Sequence, residues 1–344
     1  MDYRFFNDIL SIDSTSGRER AFSEYLTGRV EAFLCERCAD NMPVLTRGEV
    51  GDGTENLLWC WGEPKVVFCT HMDTVPPYLP PVEKDDRFEG RGSNDAKGQL
   101  FTMLTACAEL ASEGKSGFGL LILSGEETGS FGAKAFAKTS FKAPYLVVGE
   151  PTGNRMVSAS KGTKGFEIRF RGEAFHSGYP QHGISAVDLF NEFYTDLKAV
   201  DFGEDELLGP TTWNVGRLVS DNPQNILSPE LSFRLYFRTT FVSDEMVKEY
   251  MAEPVKFAGE GSRWAERIEV KALGGDIPQK YMTVDGLESA PASFGSDAPH
   301  LSNFPEKMIL GAGTILVAHR DDEYVLKADL ETAVRQYKYI YERL

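Results

Sequence analysis

Short apolar runs that break into an acid or an imidazole recur along this chain, and the recurrence restricts the folds open to it. Lys65-Val66-Val67-Phe68-Cys69-Thr70 ends in His71, Gly119-Leu120-Leu121-Ile122-Leu123 leads into Glu126 and Glu127, and Tyr145-Leu146-Val147-Val148 leads into Glu150. Runs of this length bounded by glycine read as strands buried on both faces. Asp95 and His319 are read with the same grammar, each at the point where a strand-like run gives way to a loop. An open α/β sheet builds its ligand site in the crevice beyond its strand ends, so His71, Asp95, Glu127, Glu150 and His319 predict one site.

The local chemistry of each piece suits a cation. In His71-Met72-Asp73 the two polar residues are two apart, share a strand face, and allow Asp73 to accept a proton from one ring nitrogen. The other nitrogen is left for a metal, with the ring's tautomer fixed. Asp95 stands in Gly90-Arg91-Gly92-Ser93-Asn94-Asp95-Ala96-Lys97-Gly98, just ahead of the helical pattern Gln99 to Leu110. It reads either as a ligand approached by glycine-rich backbone or as a plain helix cap. Glu126 and Glu127 repel one another unless solvent or a cation intervenes.

Strands alternating with helices before Glu150 predict a mainly parallel sheet covered on both faces. Ser16-Gly17-Arg18-Glu19 has capping-box spacing, opening a helix that carries Phe22, Tyr25, Leu26 and Val30. Between Glu150 and His319 the order is strand (165–171), helix (184–200), strands (213–220 and 231–239), helix (244–257) and strand (268–273). That β-α-β-β-α-β order is the ferredoxin-like pattern. The expected organisation is a catalytic domain of residues 1–160 and 274–344, interrupted by an α+β domain of residues 161–273.

Composition narrows the partners. With 36 Lys+Arg against 52 Asp+Glu, the formal net charge of −16 over 344 residues repels nucleic acid and anionic membrane surfaces. The first ten residues lack a signal-peptide core, and no run is long and apolar enough for a membrane span. Cys35 and Cys38 form a lone Cys-x-x-Cys with no second pair at zinc-ribbon spacing, so free thiols in a reducing cytoplasm are expected.

Taken in order from His71 to His319, these motifs resemble the dinuclear zinc aminoacylases and exopeptidases, a family that includes acetylornithine deacetylase, acetyl-lysine deacetylase, succinyl-diaminopimelate desuccinylase and carboxypeptidase relatives. The resemblance implies two Zn²⁺, replaceable by Co²⁺ or Mn²⁺. One would be held by His71, Asp95 and Glu150, the other by Asp95, Glu127 and His319, with Asp95 bridging. It also implies a bridging hydroxide attacking an amide, with Glu126 as general base. Three carboxylates and one hydroxide balance two divalent ions, and nitrogen and oxygen donors suit zinc.

The inserted domain would act as a lid and make a homodimer. Its His176 resembles the histidine that reaches a partner subunit's site to stabilise the oxyanion. Ser185 stands where the family has Asn. Arg238 resembles the family's carboxylate-gripping arginine and Asn225 its neighbouring asparagine, although the proline after Asn225 comes one residue late. Gly295 and Ser296 resemble a substrate-touching loop of the catalytic domain. Aminopeptidase relatives tend to carry Asp where this chain has Glu150, which tilts the expectation toward deacylation of an N-acyl amino acid. A di- or tripeptidase or carboxypeptidase with the same metal centre is the alternative. A non-catalytic binding homologue is the remaining one, and it would have lost a ligand or the base.

Overall fold

The apolar runs do form strands, and their burial explains their composition. The structure, a computed structural model, describes residues 1–51 and 53–344. It divides into a first unit of residues 1–158, 281–290 and 296–344 and a second of residues 159–280 and 291–295.

In the first unit, β1 (Val44–Gly51), β2 (Thr54–Trp61), β3 (Val66–His71), β4 (Phe118–Leu123) and β5 (Tyr145–Val148) join a strand at Glu306–Ile309 in one sheet. The spatial order is β1-β2-β4-β3-β5 and then Glu306–Ile309. The last four of these are parallel to one another, and β1 and β2 add an antiparallel edge. Every residue of β3 and β4 is buried, as central strands covered on both faces require.

Helices α1 (Tyr3–Leu10), α2 (Glu19–Cys38) and α3 (Lys97–Ser112) and a C-terminal helix at Lys327–Arg343 pack with this sheet. Phe5, Phe6, Phe22, Phe68 and Phe101 belong to their common core. Helix α3 is enclosed on nearly every side, which is why its sequence is apolar around most of its circumference. A Cβ at Gly98 would strike the carbonyl of Ser93. Glycine there lets the Asp95 loop lie directly against the start of the helix.

The second unit runs β6 (Gly162–Arg171), α4 (Ala186–Ala199), β7 (Thr212–Val219), β8 (Glu230–Thr239), α5 (Asp244–Ala252) and β9 (Ile268–Gly274). Its four strands are antiparallel in the order β7-β8-β6-β9. Burial alternates along β8, and Phe170, Phe193, Phe233 and Trp264 share the core between the sheet and its helices. Element order and strand order together are those of a ferredoxin-like unit.

Three details depart from the expected layout. The chain leaves the second unit at Lys280 rather than near Gly274, because the returning segment still pairs with its outgoing end: Gln279 faces Ser160, and Thr163 N–H donates to Asp276 O at 2.8 Å. Helix α5 stops at Ala252 because Pro254 cannot continue it, and the remainder to Phe257 is a 3₁₀ turn. Ser16 does not cap α2, whose N-cap residue is Arg18. Its hydroxyl donates instead to Asp73 Oδ2 at 2.8 Å. Among the described residues, no helix is long and apolar enough to cross a membrane.

Candidate metal centre

The first unit brings the predicted ligands together. His71 is the last residue of β3, Glu126 and Glu127 lie just past β4, and Glu150 lies just past β5, at adjacent ends of parallel strands. Asp95 and His319 do not sit at strand ends of this sheet. Asp95 precedes α3, and His319 lies in a loop ten residues beyond Ile309 with φ at +63°. Few residues other than glycine occupy that left-handed region, where a side chain costs about 1 kcal/mol, so the fold holds His319 against a local preference.

Asp95 is the hub. Its Oδ1 lies 3.2 Å from His71 Nε2 and its Oδ2 lies 3.4 Å from His319 Nε2. His319 Nε2 is also 3.1 Å from Glu127 Oε1. Donor atoms of His71, Asp95 and Glu127 all fall within 4.8 Å of one another. Glu150 is buried, and its Oε1 has no hydrogen-bond partner. A buried carboxylate oxygen without a donor is costly unless a cation serves it, so this observation fits a metal ligand.

The electrostatics agree. Hydrogen bonds to Asp95 and Glu127 push His319 up to about 10. Burial opposes protonation of His71, yet its bonds to Asp73 and Asp95 carry it well above the ordinary histidine value. Glu150 is raised by burial and by the charge of Asp95. Glu126 is raised by burial and by Asp297, Glu127 and Asp95, against the pull of His71. A cluster that drives its imidazoles to hold protons and its outlying carboxyls to stay neutral has excess negative potential. Divalent cations satisfy such a donor set.

Asp73 has a second job beside the expected one. The nearest acceptor to His71 Nδ1 is the carbonyl oxygen of Asp73 at 2.9 Å, with its carboxylate at 3.4 Å. With Nδ1–H given to that carbonyl, Nε2 is the nitrogen that a cation beside Asp95 would use. The Asp73 carboxylate accepts the backbone N–H of Glu126 at 3.0 Å and of Glu127 at 3.2 Å, besides the Ser16 hydroxyl. It pins the turn that carries Glu126 and Glu127.

Asp297, which closes the Gly295-Ser296-Asp297 motif but has no role of its own in the sequence reading, belongs to the same neighbourhood. It is buried, its Oδ1 has no partner, and burial pushes it up to about 6. The adjacent Ser296 is also buried and accepts Ala298 N–H at 3.3 Å.

The second unit holds His176, Asn225, Arg238 and Gly295. Gly295 therefore belongs there and not to the catalytic unit, where its loop was expected. The exposed His176 accepts Gly178 N–H on Nδ1 at 3.0 Å, and its backbone bridges to Ile226, beside Asn225. Arg238 lies on β8 with its guanidinium over the Tyr236 ring at 5.2 Å, and no carboxylate among the described residues forms an ion pair with it.

A profile of peptidase family M20/M25/M40 matches residues 67–343. The chain is 32% identical to a peptidase M20 domain-containing protein of Schizosaccharomyces pombe, over 96% of this chain and 81% of that one. The chain belongs to the M20 peptidase family. As an M20 member it is a metal-dependent hydrolase of amide bonds, with a largely parallel central sheet and an inserted ferredoxin-like unit. It is also 29% identical to a probable carboxypeptidase of Aspergillus terreus, over 98% of this chain and 85% of that one. Its fold matches a tripeptidase from Staphylococcus aureus with a TM-score of 0.78 at 20% identity, covering 98% and 96% of the two chains.

Proposed function

We propose that this M20 chain is a zinc exopeptidase of the carboxypeptidase type, releasing a residue with a free carboxylate from a short peptide. The observation that carries the reading is Asp95, whose two oxygens face two different imidazoles. His71, Asp95 and Glu150 would hold one ion, and Asp95, Glu127 and His319 the other. Bound ions would supply polarisation of the scissile carbonyl and a water of lowered pKa.

The chain's own groups do the rest. Asp73 fixes the turn that presents Glu126. The Glu126 carboxylate takes a proton from the attacking water and passes it to the departing nitrogen. His176, with Nδ1 occupied by Gly178 N–H, carries its ring proton on Nε2 when neutral and so offers one donor to a developing oxyanion.

The direction of cleavage rests on Arg238. A guanidinium without an acidic partner is suited to a substrate carboxylate. Lys161, also in the second unit, is lowered by its burial and then by the positive charge of Arg238. Two mutually destabilising cations favour an anionic ligand. The names of relatives support peptidase activity more than the N-acyl amino acid deacylation favoured by sequence wording alone. Glu150 in place of Asp speaks against the aminopeptidase and tripeptidase alternative.

The test compares an N-blocked dipeptide, its C-terminal amide, a free tripeptide, N-acetylornithine and N-acetyl-lysine. The blocked dipeptide should be cleaved fastest and its amide hardly at all. Arg238→Ala should raise KM for the free acid by about 10–100-fold, the range of a lost charge-assisted hydrogen bond, with little change in kcat. Faster turnover of the acetylated amino acids would replace this reading with deacylation.

A further inference from the structure

Arg91 and Glu323 form a buried ion pair within the first unit that none of the chemistry above uses. Their side chains are 1% and 0% exposed, and Arg91 Nη1 donates to Glu323 Oε2 at 2.6 Å. The other oxygen, Oε1, accepts three backbone N–H groups of one turn: Gly92 at 3.0 Å, Asn94 at 3.1 Å and Asp95 at 3.1 Å. Arg91 also donates from Nε to Pro77 O at 3.2 Å and from Nη1 to Arg320 O at 3.1 Å. Gly90 N–H returns a bond to Glu323 O at 3.0 Å.

Arg91 precedes Asp95 by four residues and Glu323 follows His319 by four. The pair therefore ties together the three loops that bear His71, Asp95 and His319. We infer that Arg91 and Glu323 are positioning residues that hold the Asp95 carboxylate between the two imidazoles and so set metal affinity. The inference rests on Asp95 being a ligand.

Charge explains why the clamp is a pair. The three N–H groups are buried donors and need an acceptor. A carboxylate accepts all three strongly, but alone it would add negative charge beside Asp95, Glu127 and Glu150. Arg91, 2.6 Å away, offsets that charge while the turn stays anchored.

The test is zinc affinity of the full chain, stripped with chelator and titrated in competition with a chromophoric chelator, beside thermal melts. Glu323→Gln should weaken zinc binding about 10–100-fold, the usual cost of losing a group that orients a ligand, because its amide presents a donor to Arg91 or to the turn. At saturating zinc its kcat should largely recover. Arg91→Lys keeps the charge but loses the fork, and should shift affinity the same way by less. It carries the test if Glu323→Gln does not fold. Asp322→Asn, exposed on the same segment, should bind zinc like the wild type.

Lower melting temperatures with zinc affinities within about twofold of wild type would reduce the pair to a fold support and overturn the inference. Asp95→Ala, run alongside, separates the two readings. If it loses zinc while Glu323→Gln does not, only the clamp fails, and if it binds zinc normally, the ligand assignment fails with it.

Discussion

Glu126→Gln is expected to lose about 10²–10⁴-fold in turnover, the range for removing a general acid or base, while keeping its full metal content. The substitution is nearly isosteric, and the two backbone bonds that hold the turn, from Glu126 and Glu127 N–H to the Asp73 carboxylate, do not involve the altered group. What disappears is proton affinity. Burial and the nearby charges of Asp297, Glu127 and Asp95 raise that affinity in the native carboxyl, and a general base must be able to hold the proton it takes. A primary amide in the same place cannot take a proton from water. Steady-state kinetics with metal analysis on the same sample checks this, and a variant within about threefold of wild-type kcat would remove Glu126 from proton transfer.

The second large effect belongs to Asp95. Because its Oδ1 faces His71 and its Oδ2 faces His319, Asp95→Ala takes a ligand from both proposed positions at once, whereas His319→Ala takes one from a single position. After dialysis Asp95→Ala should retain close to no metal and show no measurable hydrolysis. His319→Ala should retain about one equivalent, in keeping with the weakening expected when one of few ligands is lost. The contrast between the two variants is the informative quantity. Equal losses would mean that Asp95 serves one ion and not two.

How far the sequence disclosed this site depends on how local each signal is. The β3, β4 and β5 runs and the polar residues within four positions of their ends are visible because burial on both faces forces continuous apolar stretches and the chain must then turn. The ferredoxin-like unit is visible because its strands are buried on one face, and β8 alternates accordingly. For Asp95 and His319 the strand-end reading misplaces the residue, since one precedes α3 and the other lies in a loop, and their roles come from the resemblance of their motifs to known relatives.

The Arg91 to Glu323 bond spans 232 residues; each residue lies in a motif that also carries a predicted ligand, but neither motif tells that the two side chains meet. Ser16 misleads for a related reason. Its spacing to Glu19 is that of a capping box, but a buried carboxylate 57 residues away is the stronger acceptor. Tertiary competition of this kind leaves no periodic trace.

The account stands on two cations sharing Asp95, and an anomalous difference map at the zinc edge from a zinc-soaked crystal of the wild-type chain tests that directly. It should contain two peaks flanking the Asp95 carboxylate, one toward His71 and Glu150 and one toward Glu127 and His319. A single peak, or density placed away from these side chains, would contradict it.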